Sequence, residues 1–189
     1  VNSPANVDRL RMDAVMISAL AKYEKEAAIV DFGGAGDDGK SIIVNSLRDR
    51  GYVNAMCIGA GDYIYPNDCD IIYASHVIEH IYDLPETMAI LSAALAPKGL
   101  LIIDGPDATG LLTKWKMPIL DFNTKHINHF TLRDYLNLGR RHGFELIDCK
   151  RYELEGAPAY QLHFSRLDVA QSSALHIMTN IAARVERLK

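Results

Sequence analysis

The chain has 189 residues, of which 49% are hydrophobic and 23% charged, a balance typical of one globular domain with a single core. Its formal net charge of −4 gives no electrostatic reason to expect nucleic acid or an anionic membrane as a partner, and no apolar run approaches the roughly 20 residues of a membrane span. The three cysteines lack CxxC spacing, so neither a disulfide framework nor a thiolate zinc site is indicated, and a reducing, cytoplasmic location is expected.

Hydrophobic periodicity predicts strands and helices that alternate along the first half of the chain. An amphipathic helix covers the first two dozen residues, and a buried strand at 27–32 runs into a glycine turn. A helix at 40–50 follows, with Gly51 as its C-terminal cap. Two further strands are predicted at 52–58 and 70–74.

The second half continues the alternation and closes with a hairpin. The predicted elements are a helix at 84–96, a strand at 100–103, a long loop at 107–129, a helix at 131–142 that begins with a capping box, and two strands at 145–152 and 159–167. Residues 1–168 are expected to form one domain, N-terminal helix included, and 169–189 a C-terminal amphipathic helix. The pattern predicts an α/β three-layer sandwich with a mostly parallel sheet and a C-terminal antiparallel hairpin.

The glycine turn after the first predicted strand is a candidate ligand loop. Asp31 ends the strand, and glycines at 33, 34 and 36 let the backbone approach a ligand at the start of the next helix. The letters GAGDDGKS at 34–41 also match the phosphate-loop pattern GxxxxGK[ST], which leaves a nucleotide triphosphatase as an alternative. Asp37 and Asp38 argue against this alternative, because negative charges in a phosphate-binding loop repel the phosphate.

A second pattern, His76-x-x-Glu79-His80, matches the inverted zinc-protease motif HxxEH. His126 and His129 could supply further imidazoles. No third-ligand spacing stands out, so the sequence predicts no metal site, and Glu79 and His80 are expected to brace the turn below the ligand pocket.

Two longer stretches carry a family resemblance. The letters CDIIYASHVIEHIYDLPETMAILSAALAPKGLLIIDGPD at 69–107 resemble the second half of class I S-adenosylmethionine (SAM) dependent methyltransferases. The letters KHINHFTLRDYLNLGRRHGFELID at 125–148 resemble a downstream segment of their small-molecule and sugar branch. The resemblance spans roughly 27–167 and implies a Rossmann-like fold, SAM as cofactor, S-adenosylhomocysteine as product, and a small molecule or sugar as methyl acceptor.

The resemblance also implies roles for individual residues. Those expected to bind SAM are Asp31, Gly33, Gly34 and Gly36 at its methionine end, Asp62 at its adenosine, and Ser75 and His76 in the pocket wall. His126 aligns with a histidine assigned as the base in sugar C-methyltransferases, and an imidazole with a free pKa of ~6.5 suits that role. The long loop is expected to cover the acceptor, with Trp115, Met117 and Phe122 as an apolar wall.

The chain departs from the family pattern in its cofactor half. The stretch between Cys57 and Asp70 is too short for the usual helix and strand, and Gly59 stands where a ribose-binding carboxylate is expected. Asp37 replaces the third glycine of the loop. These departures predict weak SAM binding and leave an alternative, a catalytically silent binding or assembly module that uses the C-terminal helix for self-association or for a partner.

Overall fold

A computed structural model describes residues 3–22, 24–34, 41–60, 66–113 and 126–167. Its strands are β1 (Ile29–Phe32), β2 (Ala55–Ile58), β3 (Cys69–Ser75), β4 (Leu95–Pro106), β5 (Phe144–Leu154) and β6 (Ala157–Arg166). Its helices are α1 (Pro4–Leu20), α2 (Ile42–Arg48), α3 (Leu84–Ala94), α4 (Ala108–Thr113) and α5 (Leu132–Arg141), with a single 3₁₀ turn at Ile78–His80. Within these residues, no helix has both the length and the apolarity needed to cross a membrane.

The six strands form one sheet in the order β2-β1-β3-β4-β6-β5. β1 to β4 are mutually parallel, whereas β6 runs antiparallel to both β4 and β5. Successive strand residues face opposite sides of a sheet, so Ile71 packs into one buried cluster with α1 and α2, and Ile72 packs into the other with α3 and α5. The predicted Rossmann-like α/β sandwich with a C-terminal hairpin is confirmed.

Local signals explain most element boundaries. The Thr131 hydroxyl accepts a hydrogen bond from the Asp134 backbone N–H, and the Asp134 carboxylate accepts one from the Thr131 backbone N–H, which forms the predicted capping box of α5. The β5–β6 hairpin turns over Glu155 and Gly156, whose φ angles of 52° and 85° are typical of a two-residue type I′ turn.

The boundaries around β4 and the long loop differ from the prediction. β4 begins at Leu95 instead of residue 100, since Leu95 already pairs with Cys69 ahead of an irregularity in the ladder. A Cβ atom at Gly99 would lie 2.7 Å from the Cys69 carbonyl oxygen, so the missing side chain allows the two strands to approach closely. The loop contains α4, a six-residue helix too short for periodicity to reveal. Residues 114–125 and the predicted C-terminal helix lie outside the described residues.

Candidate functional site

The strand order of the sheet reverses direction between β1 and β3. β1 pairs with β2 on one side and β3 on the other, and ligands of open α/β sheets bind at such a reversal of strand order. Gly33 lies at this point with φ +73°, and its N–H donates to the Ile58 carbonyl at 2.7 Å. A Cβ atom there would lie 2.7 Å from both methyl groups of Val77, so only glycine fits the turn.

Asp31, the last polar residue of β1, lies beneath this glycine turn. Its side chain is 2% exposed and accepts a 2.5 Å hydrogen bond from the Ser41 hydroxyl at Oδ2. Burial raises the pKa of this carboxyl to about 6, partly offset by the Ser41 hydrogen bond. Oδ1 is buried with no hydrogen-bond partner among the described residues. A buried carboxylate oxygen therefore remains for a cationic or hydrogen-bonding group.

Ser41 also bears on the phosphate-loop alternative. Its hydroxyl, besides donating to Asp31, accepts from the Val44 backbone at 3.0 Å and so caps α2. A phosphate-loop serine would use this hydroxyl to hold magnesium. The arrangement therefore favours a structural role for Ser41.

Ser75, at the end of β3, accepts a hydrogen bond from Arg9, a residue that the sequence analysis did not identify. Arg9 of α1 donates from Nη2 to the Ser75 hydroxyl at 2.9 Å and from Nη1 to Asp104 at 2.8 Å. The same Nη1 contacts Asp13 at 2.9 Å, and Tyr73 hydrogen-bonds to both Asp13 and Asp104. Ser75 thus lies at the rim of a buried polar network that joins α1 to the ends of β3 and β4.

His76 follows Ser75 in the left-handed region, with φ +51°. Its Nδ1 lies 3.3 Å from Oε1 of Glu79, and its Nε2 lies 3.3 Å from the Tyr152 hydroxyl on β5. Burial raises the pKa of Tyr152, so this hydroxyl stays protonated. The imidazole is therefore held between a buried carboxylate and a phenol at the sheet edge.

His126 lies beside the 3₁₀ turn that follows β3. One ligand atom from each of Glu79, His80 and His126 lies within 4.8 Å of the others, and the two imidazole rings meet edge to face with centroids 4.7 Å apart. The Asn128 N–H donates to the Glu79 carbonyl at 2.9 Å, and its side chain donates to the Ile81 carbonyl at 2.7 Å. These bonds hold the segment around His126 against the turn.

The described site residues thus lie at one edge of the sheet, in two groups. Asp31, Gly33 and Gly34 form the turn at β1, whereas Ser75, His76 and His126 follow β3 or contact the turn after it. Gly36, Asp62 and the predicted apolar wall of Trp115, Met117 and Phe122 lie outside the described residues.

Arg9 and its partners had one detectable signal in the sequence. Asp13 lies one residue before Ala14 on the buried face of α1 and is 8% exposed. A carboxylate in such a position needs a buried partner, and Arg9 four residues earlier is suitably spaced. The identity of the more distant partners, Tyr73 and Asp104, could be found only from the fold.

Comparison with protein families gives one match over most of the chain. Residues 8–148 match the family model described as a methyltransferase domain. No curated protein matches the sequence.

Solved structures extend the comparison at the level of the fold. A protein from Galdieria sulphuraria aligns with a TM-score of 0.58 and 14% identity over 86% of each chain. A second structure is that of the Burkholderia thailandensis 1,6-didemethyltoxoflavin-N1-methyltransferase with bound 1,6-didemethyltoxoflavin and S-adenosylhomocysteine. It aligns with a TM-score of 0.55 and 15% identity over 84% of this chain and 79% of its own. A third is that of the magnesium protoporphyrin IX methyltransferase of Synechocystis PCC 6803 with bound S-adenosylhomocysteine. It aligns with a TM-score of 0.54 and 17% identity over 86% of this chain and 84% of its own.

Proposed function

Because this chain belongs to the methyltransferase domain family, we propose that it transfers a methyl group from SAM to a small-molecule or sugar acceptor. The two solved methyltransferases that contain S-adenosylhomocysteine support SAM as the methyl donor, and the one with bound 1,6-didemethyltoxoflavin supports a small acceptor. Sequence identity of 17% or less to them leaves the acceptor to be found by experiment.

The turn at β1 fits the methionine end of SAM. Oδ1 of Asp31, which has no partner among the residues that the structure describes, is a suitable acceptor for the ammonium group of SAM. The glycine backbone at 33, 34 and 36 would lie against the methionine carboxylate. A Cβ atom at Gly34 would lie 2.0 Å from Oδ2 of Asp31, so a side chain there would displace the carboxylate. Asp62 would bind the adenosine, and Ser75 and His76 would line the pocket beyond β3.

SAM supplies a methyl group activated by a sulfonium, so the protein needs mainly to align the acceptor and accept its proton. His126 is the proposed base, since it is half-buried and lies beside the 3₁₀ turn that follows β3. His76 would support the pocket wall through its contacts with Glu79 and Tyr152. The segment at 107–129 would cover the acceptor.

The observation that carries this proposal is Oδ1 of Asp31, which is buried under the glycine turn and has no hydrogen-bond partner in the described part of the chain. Titration calorimetry with SAM and S-adenosylhomocysteine tests it. We expect saturable binding that is lost in Asp62→Ala and retained in Glu145→Ala, a control on β5 at the opposite end of the sheet from β2. At a ligand concentration of a hundred times Kd, binding adds about 2.7 kcal/mol to the free energy of unfolding. For a domain of this size that raises the melting temperature by roughly 5–10 °C.

Absence of heat and of a melting shift at millimolar ligand would overturn the enzyme proposal. His126→Ala tests the catalytic assignment separately. It should abolish methyl transfer to an identified acceptor while the Kd for SAM stays unchanged, and unchanged turnover would remove His126 from the mechanism.

A further inference from the structure

We propose that Glu79, His80 and His126 form a binding site for a divalent transition-metal ion, with Zn²⁺ as the best-matched probe. These residues bring a carboxylate and two imidazoles together at the sheet edge, with one ligand atom of each within 4.8 Å of the others. The proposal extends beyond methyl transfer and differs from the HxxEH pattern, because the second imidazole comes from His126 and His76 stands outside the set.

The state of Glu79 is an independent indication of a ligand. Its side chain is 1% exposed, and Oε2 has no hydrogen-bond partner among the described residues. A buried carboxylate normally has its oxygens paired or coordinated to a metal, because burying unpaired charge is costly. Oε1 also lacks a hydrogen-bond partner among the described residues and lies 3.3 Å from Nδ1 of His76, so both oxygens of the carboxylate are open to a cation.

The three ligand atoms lie farther apart than a bound metal ion requires. Tetrahedral Zn²⁺ with bonds of about 2.0–2.1 Å needs ligand atoms about 3.4 Å apart, so a pair at the 4.8 Å limit would have to approach by about 1.4 Å. Glu79 is fixed by burial and by His76, whereas the His80 side chain is exposed and His126 is half-buried. Rotation of the two histidine side chains can bring their nitrogens closer.

The ligand chemistry selects the class of metal. Mg²⁺ and Ca²⁺ prefer oxygen ligands throughout, whereas two imidazoles with one carboxylate suit Zn²⁺ and its neighbours in the first transition row. Three protein ligands leave at least one coordination position open. His80 is exposed, so a metal ion can reach the site from solvent.

The consequence for catalysis rests on the proposed function. An open metal position at this edge would bind an oxygen of the acceptor and lower the pKa of its hydroxyl. A metal-bound imidazole has no lone pair for a proton, so the base role of His126 would then apply only to the metal-free protein. Metal binding itself does not depend on SAM.

Titration of the full chain with ZnCl₂, after treatment with a chelator, tests the site. We expect one Zn²⁺ bound per chain, no displacement by millimolar Mg²⁺, and an affinity loss greater than about 100-fold in His80→Ala and His126→Ala, since removal of a supporting residue alone costs 10–100-fold. His129→Ala removes an exposed imidazole three residues beyond His126 and should bind Zn²⁺ as the parent does. Glu79→Gln keeps the side-chain shape and should also lose affinity.

Two outcomes would overturn the metal site. One is the absence of saturable one-site binding by the parent chain, and the other is equal Zn²⁺ affinity in the parent, His80→Ala and His126→Ala. His80 is exposed, so its variant remains informative even if substitution of buried Glu79 impairs folding. SAM titration of the same variants separates the proposals: loss of Zn²⁺ binding with SAM binding intact concerns the metal site alone, whereas Zn²⁺ binding without SAM binding overturns only methyl transfer.

Discussion

At the scale of single residues, Asp31 combines burial with an unused acceptor. Its carboxylate lies under the glycine turn and receives one hydrogen bond from Ser41, and burial raises its pKa to about 6. Keeping this group ionised therefore costs the folded protein free energy, which a cationic ligand at Oδ1 would offset. Such an arrangement is typical of a site prepared for a ligand.

The raised pKa predicts how Asp31 affects stability as a function of pH. The unfolded carboxyl ionises near 3.8 and the folded one near about 6, so the folded state binds the extra proton between these values. The contribution of Asp31 to the free energy of unfolding should therefore fall by on the order of 3 kcal/mol as pH rises from about 4 to about 7. Urea unfolding of Asp31→Asn should lack this fall and leave the variant more stable, relative to the parent, at neutral pH.

The matched control for this experiment is Asp8→Asn, whose carboxylate is 76% exposed. Its stability should follow the parent curve across the same pH range. If the free energies of unfolding of Asp31→Asn and the parent changed in parallel with pH, the Asp31 pKa would not be raised in the folded state.

The turn formed by Asp31 and Gly33 was predictable, because both residues act within one short stretch of chain. The hydrogen bond between Arg9 and Ser75 was not predictable, because the two residues lie 66 positions apart in sequence and meet only through the docking of α1. The proximity of His126 to Glu79 likewise depends on Asn128 holding a distant segment against the 3₁₀ turn.

At the scale of elements, the docking of α1 depends on a buried cation. The Arg9 side chain, 15% exposed, lies between Asp13 and the fully buried Asp104. Arg9→Met keeps much of the side-chain volume but leaves these carboxylates without their positive partner. Breaking a buried pair from one side costs about 3–5 kcal/mol, so the free energy of unfolding should fall by about that amount in urea denaturation at neutral pH.

Arg11→Met is the control on the same helix. The Arg11 side chain is 64% exposed and lies 3.5 Å from Asp8, a surface pair worth at most about 1 kcal/mol. A loss of less than about 1 kcal/mol in both variants would mean that the Arg9 network does not secure α1.

Elements with local start and stop signals were predictable, and those defined by distant pairing were not. The capping box of Thr131 and Asp134 was readable from spacing, and hydrogen bonds from Thr131 lower the pKa of Asp134 in agreement with that geometry. The early start of β4 at Leu95 escaped prediction, because helical periodicity continues into that stretch while pairing with Cys69 makes it a strand.

At the scale of the whole molecule, the sheet retains a Rossmann-like order although one connection is short. The connection from β2 to β3 consists of residues 59–68, which is shorter than the helix and strand that the family resemblance places there would need. The fold was predictable because alternating elements and right-handed crossovers restrict the sheet to few topologies. Cofactor affinity was less predictable, because it depends on a few side chains at the strand ends.

The short connection predicts a change that should strengthen SAM binding. Gly59 directly follows β2, where the family resemblance places a carboxylate for the ribose hydroxyls. A carboxylate that accepts both hydroxyls is worth on the order of 1.5–3 kcal/mol, so Gly59→Asp should lower the Kd for SAM by roughly ten- to a hundredfold in titration calorimetry. Gly59→Asn supplies a side chain of the same shape without charge and should gain much less, since hydrogen bonds to charged groups are the stronger ones. Equal Kd values for the parent and Gly59→Asp would mean that a carboxylate at this position does not contact the ribose.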